Sequence, residues 1–268
     1  MSYTFGFIGV GNMGSALAKA ACRRTPEEVI ITNRTLDKAV QLAEQLDCDL
    51  AMKNEAVAKE ARFIFLGVKP AGMADLLGSL APVLKARTDR YILVSMAAGL
   101  TIDTILKQLG FSAPVIRIMP NTPVGVGMGL VPFSVRDVTP EEVDEFCDKL
   151  SAAGEFDPIS ESQMDAAAAL SGCGPAFVYQ FLEALADGAV ACGLPRQKAT
   201  RYAALTLQGS AGLMLEEGSH PAQLKDQVCS PGGSTIEGVR ALEKGGLRSA
   251  AIEAVIAAFE KNRKLGNS

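Results

Sequence analysis

Residues 3–14 read YTFGFIGVGNMG, an apolar run that leads into three glycines with the spacing G-x-G-x-x-G. An amphipathic helical stretch, residues 12–23, begins among these glycines. Glycine permits a tight turn between a strand and a helix, and it lets the backbone approach a ligand closely. The free N–H groups and the dipole at the start of a helix stabilise a pyrophosphate. The stretch therefore predicts a dinucleotide site, with a purely structural turn as the alternative.

Beyond this turn, short runs rich in Ile, Val and Phe alternate with helical stretches. This alternation is typical of a parallel sheet that is covered by helices on both faces. The predicted strands are residues 3–9, 28–33, 62–68, 91–97 and 115–119, with a weaker one at 49–52 and an extra one at 127–133. The predicted helices among them include residues 12–23, 35–46 and 140–152.

The character of the chain changes near residue 160. No strand is predicted from residue 162 onward, and Pro175 should kink or begin a helix. The helical stretches are residues 162–192, 195–217, 221–228, 234–243 and 247–265. The sequence thus predicts an α/β, Rossmann-like domain with a mostly parallel sheet over residues 1–160. An all-α domain should follow over residues 161–268.

One predicted helix, residues 176–190, is apolar on most of its circumference. A helix of this kind must be covered on all sides, and the helical domain is too small to do so alone. We therefore expect a second copy of the chain to provide the cover, in a symmetric homodimer.

Composition limits the classes of partner. The net charge is −4 and the basic residues are scattered, so no nucleic acid is expected. The longest uncharged run, residues 166–182, contains polar residues and is better explained by a buried helix than by a membrane span. The six cysteines lack the spacing of a metal site, so no metal is expected. Thiols in a reducing compartment and the lack of a signal peptide predict a cytoplasmic protein.

The end of the second predicted strand indicates the choice of cofactor. An NAD-preferring protein usually has Asp or Glu there, which binds the ribose 2′-hydroxyl. This chain has Asn33-Arg34-Thr35 instead, and a guanidinium group can bind a phosphate through two hydrogen bonds. NADPH is therefore the expected cofactor and NADH the less favoured one. The alternative is that Arg34 is only a solvated surface residue.

Three more strand ends carry glycine or polar side chains: residues 68–70, 95–99 and 117–123. Ligands of an open parallel sheet bind at the carboxyl ends of its strands. We expect these segments to line the nicotinamide side, where the small Ala97 and Ala98 would admit the ring. The alternative for Lys69 and Arg117 is structural pairing with carboxylates or carbonyls.

In the helical half, residues 224–235 read LKDQVCSPGGST. One helix should end near Val228 and another begin near Ser234, with Pro-Gly-Gly as a tight turn between them. Amides that point into open space before a helix N-terminus can bind a small anion such as a carboxylate. The alternative is an ordinary linker in which a serine caps the second helix.

Some catalytic groups are missing from the sequence. The single histidine, His220, precedes Pro221 and is better explained as a surface or capping residue, so no Ser–His–Asp or Cys–His set can form. No lysine occurs between residues 150 and 197, which disfavours a 3-hydroxyacid dehydrogenase. A cyclic imine is basic enough to be protonated itself. Its reduction therefore needs no strong side-chain acid, and a hydroxyl at hydrogen-bond distance could suffice.

The chain resembles the pyrroline-5-carboxylate reductase family over nearly its whole length. The motifs that carry this resemblance are residues 9–14, 68–70, 95–99, 117–123, 172–176 and 221–243, of which Ser230 to Thr235 is the most specific. The resemblance implies NADPH-dependent reduction of a C=N bond to give L-proline. It also implies a helical domain that interlocks two subunits, with larger rings of dimers in several members. Cys173 and Cys229 depart from the serine or threonine that is common in the family.

The resemblance also implies the site residues. The cofactor would be bound by Ile8, Gly9, Val10, Gly11, Asn12, Met13, Gly14, Asn33, Arg34, Asn54, Val68, Lys69, Pro70, Met96, Ala97, Ala98 and Asn121. The substrate would be bound by Ser230, Gly232, Gly233, Ser234 and Thr235. Among these, the Thr235 hydroxyl is the catalytic group, hydrogen-bonded to the ring nitrogen.

Two other functions stay open at this point. A non-catalytic NADPH-binding protein would be expected to have a disrupted substrate loop, whereas this loop is intact. An imine reductase acting on a six-membered ring is harder to separate, because one ring carbon is worth only about 1–3 kcal/mol in a pocket.

Overall fold

An eight-stranded sheet forms the N-terminal part of the computed structural model, which describes residues 2–266 and side chains as far as residue 264. The strands are β1 (Tyr3–Ile8), β2 (Val29–Thr32), β3 (Asp49–Leu50), β4 (Ala61–Leu66), β5 (Ile92–Ser95), β6 (Val115–Ile118), β7 (Gly129–Arg136) and β8 (Gly154–Pro158). Their order is β3-β2-β1-β4-β5-β6-β7-β8. Only the pair β6 and β7 is antiparallel among these strands.

Helices cover both faces of this sheet, because the strands carry apolar side chains on both sides. Phe63 and Phe65 of β4 enter one core cluster, whereas Ile64 and Leu66 enter the other. The first cluster packs under α1 (Asn12–Cys22), α2 (Leu36–Leu46) and α6 (Pro140–Lys149), and the second under α3 (Asn54–Glu60), α4 (Met73–Ala86) and α5 (Ile102–Leu109). The α/β class predicted from the sequence is confirmed.

The buried strands were predicted within a few residues of their observed bounds, but the far edge of the sheet was not. β8 has the sequence GEFDP and pairs in parallel with β7, and it was missed. It is polar and largely exposed, so it lacks the apolar pattern that identifies a strand. The helix predicted over residues 140–152 ends at Lys149 and continues as a 3₁₀ turn, Ser151–Ala153.

The long helix predicted over residues 162–192 is also interrupted. It consists of a 3₁₀ turn (Glu161–Gln163), α7 (Met164–Ala167), a π-helical turn (Ala168–Gly172) and α8 (Gly174–Ala191). Pro175 lies in the first turn of α8, where its missing N–H group has no cost. The prediction that this proline begins a helix is confirmed.

The described residues form two units, each packed on itself: residues 2–173 with 258–266, and residues 174–257. The second unit contains α8, α9 (Arg196–Glu217), α10 (Pro221–Gln227), α11 (Ser234–Lys244) and the first part of α12 (Leu247–Gly266). Among the described residues no helix is long and apolar enough to cross a membrane. The domain boundary near residue 160, which was placed where the strand patterns of the sequence end, stays a prediction.

The second unit leaves most of its apolar side chains exposed. Ala186, Ala199 and Ala203 are buried where α8 and α9 pack together. By contrast, Val178 and Leu205 are half exposed. The helix that the sequence predicted to need cover on all sides, α8, is therefore not covered by its own unit.

Candidate functional site

The glycine turn after β1 is held by close backbone contacts. Gly9 has φ +96°, and a Cβ atom there would lie 2.5 Å from the carbonyl oxygen of Gly67. A Cβ atom on Gly14 would lie 2.3 Å from the carbonyl oxygen of Gly9. The turn therefore requires glycine at both positions. Gly67, which follows β4, was not predicted to take part, although a glycine at a strand end is a signal for close backbone approach.

Gly11 has a different function from these two glycines. A Cβ atom at Gly11 would meet nothing within 4 Å, so the space in front of this residue is open. Gly11 is the N-cap of α1, and no side chain caps this helix. The first N–H groups of α1 thus face an open space bounded by glycine. These residues fit a dinucleotide pyrophosphate, because both the room and the donors are present.

Asn33 connects the glycine turn to the end of β2. Its Oδ1 accepts a hydrogen bond from the N–H of Val10 at 3.3 Å, and its Nδ2 donates to the carbonyl of Thr35 at 3.0 Å. The next residue, Arg34, is exposed and has no ion pair within the described part of the chain. Asn54 is partly buried in the first turn of α3. This arrangement leaves the Arg34 guanidinium group available for a phosphate.

The segments after β4 and β5 lie at the same edge of the sheet as the glycine turn, because β1, β4 and β5 run in parallel. Val68 is partly buried, whereas Lys69 and Pro70 are exposed. No ion pair of Lys69 is found within residues 2–266, so structural pairing does not account for it.

After β5 come Ala97 and Ala98, the small residues that are expected to admit the nicotinamide ring. Ala97 is buried, and its N–H donates to Ser95 Oγ at 3.4 Å. Met96 is partly buried and Ala98 is exposed. Residues 96–98 therefore lie at the carboxyl edge of the sheet.

Arg117, within β6, and Asn121, after it, make structural contacts. Asn121 Oδ1 accepts a hydrogen bond from the N–H of Leu130 at 3.0 Å, which braces the loop. Arg117 is only 3% exposed, and its Nη1 donates to Glu161 Oε1 at 3.0 Å. The structural alternative is confirmed for Arg117. Its partner Glu161 was not identified from the sequence, because it lies far along the chain.

The loop before α11, in the second unit, forms a tight turn. Gly232 has φ +71°, and the N–H of Gly233 donates to the carbonyl of Ser230 at 3.0 Å. A Cβ atom on Gly233 would lie 2.3 Å from Ser230 Oγ, so a larger residue there would require the Ser230 side chain to move. α11 begins at Ser234 without a side-chain cap, which contradicts the alternative of an ordinary serine cap.

The start of α11 therefore presents unpaired donors. Ser234 and Thr235 are exposed, and their hydroxyl groups have no hydrogen-bond partner among the described residues. Free N–H groups at a helix start bind an anion, and a hydroxyl next to them can donate a further hydrogen bond. The arrangement suits a small molecule that carries a carboxylate beside a polar ring atom.

His220 takes no part in this loop. It is the N-cap of α10, where its Nδ1 accepts a hydrogen bond from the N–H of Ala222 at 3.2 Å. The prediction that it is a capping residue is confirmed.

The predicted residues thus fall into two groups, each within one unit. Those assigned to the cofactor lie in the first unit, at the end of β1, in the segments that follow β1, β2, β4, β5 and β6, or at the start of α1 and α3. Those assigned to the substrate lie in the second unit, in the loop before α11.

Comparisons with known proteins find two family models that match different parts of the chain. A family model described as pyrroline-5-carboxylate reductase dimerisation matches residues 161–265, and one described as NADP oxidoreductase, coenzyme F420-dependent, matches residues 4–99. Pyrroline-5-carboxylate reductase of Escherichia coli strain K12 is 39% identical over 272 residues, which is 100% of both chains.

Two solved structures are similar along almost the whole chain. A pyrroline carboxylate reductase of Plasmodium falciparum with NADP bound has a TM-score of 0.87 at 31% identity and covers 98% of both chains. A pyrroline-5-carboxylate reductase of Coxiella burnetii has a TM-score of 0.90 at 31% identity and covers 99% of both chains.

Proposed function

Because the chain belongs to the pyrroline-5-carboxylate reductase family, we propose that it reduces the C=N bond of 1-pyrroline-5-carboxylate to L-proline with NADPH, the last step of proline biosynthesis. The observation that carries this proposal is the uncapped start of α11, where free amides and two unpaired hydroxyl groups meet. A cyclic imine with a carboxylate next to its ring nitrogen matches those donors.

In this proposal, residues 1–160 hold the cofactor. The amides at the start of α1 bind the pyrophosphate, and Arg34 binds the 2′-phosphate beside Asn33. The remaining cofactor contacts are Ile8, Val10, Met13, Asn54, Val68, Lys69, Pro70, Met96, Ala97, Ala98 and Asn121. NADPH, when bound, supplies the hydride for the imine carbon.

Residues 161–268 hold the substrate in this proposal. The free amides of Gly232 and Ser234 bind its carboxylate. Gly233 and Ser230 lie beside them, because the N–H of Gly233 already donates to the carbonyl of Ser230. The Thr235 hydroxyl forms a hydrogen bond with the ring nitrogen, which orients the imine and holds the nitrogen's proton. No strong side-chain acid is needed, because the imine nitrogen is itself basic.

We further propose that two copies assemble through their helical domains, and that such dimers form larger rings. The exposed apolar side chains of the second unit, such as Val178 and Leu205, support this assembly. A molar mass of one chain in solution would contradict it. We place the enzyme in the cytoplasm, in keeping with six cysteines that are all free thiols.

The role of Thr235 can be tested with Thr235→Val, which keeps the shape of the side chain and removes the hydroxyl. We expect turnover to fall at least about tenfold, since general-acid contributions are commonly about 10²–10⁴-fold. The measurement is the loss of NADPH absorbance with pyrroline-5-carboxylate present. Thr206→Val on α9, an exposed threonine in the same unit, is the matched control. Equal turnover in both variants would remove Thr235 from the mechanism.

A further inference from the structure

A buried arginine lies at the carboxyl end of the sheet. Arg117 is the third residue of β6, opposite Ser95 of β5 and Ser134 of β7. Its side chain is only 4% exposed. A buried charge is costly unless it is paired and hydrogen-bonded, so the partners of this guanidinium group matter.

One carboxylate oxygen, Oε1 of Glu161, joins two elements. It accepts a hydrogen bond from Nη1 of Arg117 at 3.0 Å and another from the N–H of Ile102 at 2.7 Å. Ile102 is the first residue of α5. Asp165 Oδ1 lies further away, at 3.9 Å from Nη2 of Arg117. Glu161 therefore fixes the end of β6 and the start of α5 at the same point.

The two anchored elements flank the two loops assigned to the nicotinamide side. Residues 96–101 run from the end of β5 to the start of α5, and residues 119–121 follow β6 directly. The first loop carries Met96, Ala97 and Ala98, and the second carries Asn121. The pair Arg117–Glu161 thus holds one end of each loop without belonging to either.

We propose that Arg117 and Glu161 are a positioning pair for the nicotinamide end of the cofactor site. This inference rests on the proposed function, because that function places the nicotinamide at these loops. The adenosine end lies elsewhere on the edge. Arg34 follows β2, which is four strands from β6, or about 19 Å at ordinary strand spacing. Loss of the pair should therefore weaken binding of the nicotinamide end of the cofactor and leave binding of the adenosine end unchanged.

The test is Glu161→Ala, read with three measurements. Adenosine 2′,5′-bisphosphate occupies only the adenosine end of the cofactor site. The affinity of the variant for this probe, measured by calorimetry, should be within about twofold of the wild-type value. The affinity for NADPH, followed by nicotinamide fluorescence, should fall. Turnover should fall about tenfold, since a displacement of about 1 Å can cost about 10²-fold. Glu161→Gln, which keeps an acceptor oxygen, should recover most of this loss.

Two further variants separate positioning from stability. Arg117→Met combined with Glu161→Ala leaves no buried unpaired charge, and it should fold yet still show the loss in turnover. Arg24→Met, which breaks the exposed pair of Arg24 with Asp148, is the matched control and should behave like wild type. Wild-type turnover and NADPH affinity in the double variant would overturn the proposal, as would an equal loss of bisphosphate and NADPH affinity.

A failure of this positioning proposal can be distinguished from a failure of the proposed function. A wild-type protein that binds NADPH but does not oxidise it with the imine would remove the proposed function. The comparison of NADPH with the bisphosphate would still decide the positioning role, because neither affinity depends on turnover.

Discussion

At the scale of single residues, the glycine turn shows what spacing alone can predict. Gly9, Gly11 and Gly14 were identified from their order in the sequence, and the structure gives each a separate physical reason. Gly67 was missed because its need for glycine comes from contact with Gly9, which is distant in the chain. The same holds for Glu161, whose two hydrogen bonds depend on tertiary structure.

The choice of cofactor is also decided by one residue. Arg34→Ala should raise the Michaelis constant for NADPH far more than that for NADH, because only NADPH carries a 2′-phosphate. One charge-assisted hydrogen bond is worth about 1.5–3 kcal/mol, or roughly 10–150-fold. Steady-state kinetics with each cofactor measure this. Lys38→Ala, an exposed cation on the following helix, is the control. Equal effects of Arg34→Ala on both cofactors would refute the assignment.

At the scale of elements, the sequence predicted strands where both faces are buried. β4, with the sequence ARFIFL, is continuously apolar and was recognised for that reason. β8 was missed because it is a polar edge strand. The π-helical turn at Ala168–Gly172 was also missed, because no simple periodicity marks it. Element ends were less predictable than element types, since caps and turns depend on a few local hydrogen bonds.

The start of α6 gives a prediction of pH dependence. Both carboxylate oxygens of Glu142 accept hydrogen bonds from Arg90 at 2.8 Å, and Oε2 also accepts one from the N–H of Thr139 at 3.0 Å. The hydrogen bonds from Arg90, more than any other cause, lower the pKa of Glu142 below its ordinary value. A lowered pKa in the folded state means that this group stabilises the fold above its ordinary pKa. The stabilisation is lost as the pH falls through the lowered value.

Glu142→Gln should therefore lower the free energy of unfolding at neutral pH by about 1–2 kcal/mol. The difference from wild type should shrink on acidification below about pH 4.3, the ordinary pKa of glutamate. Denaturant unfolding at several pH values measures this. Glu145→Gln, on the same helix, changes a carboxylate that pairs with Arg62 and is more exposed than Glu142, so it should cost less. A difference that grows at low pH would contradict the role of Glu142.

At the scale of the whole molecule, the α/β class and the all-helical second part followed from the sequence. The alternation of strands and helices indicated the α/β class, and the lack of strand patterns after residue 162 indicated the all-helical part. The cover of α8 could not be predicted in detail, because its own unit leaves side chains such as Val178 exposed. The periodicity of this helix indicates that a partner is needed, but it does not say which residues of the partner provide the cover.

We expect this chain to oxidise NADPH only when pyrroline-5-carboxylate is present as the substrate that is reduced. The direct measurement is the absorbance of NADPH with purified protein, before and after the imine is added. We expect a rapid loss that depends on the imine and is slower with NADH. The contradicting result would be no loss with either cofactor, in protein shown to bind NADPH. That result would favour a six-membered imine substrate or a non-catalytic NADPH-binding protein.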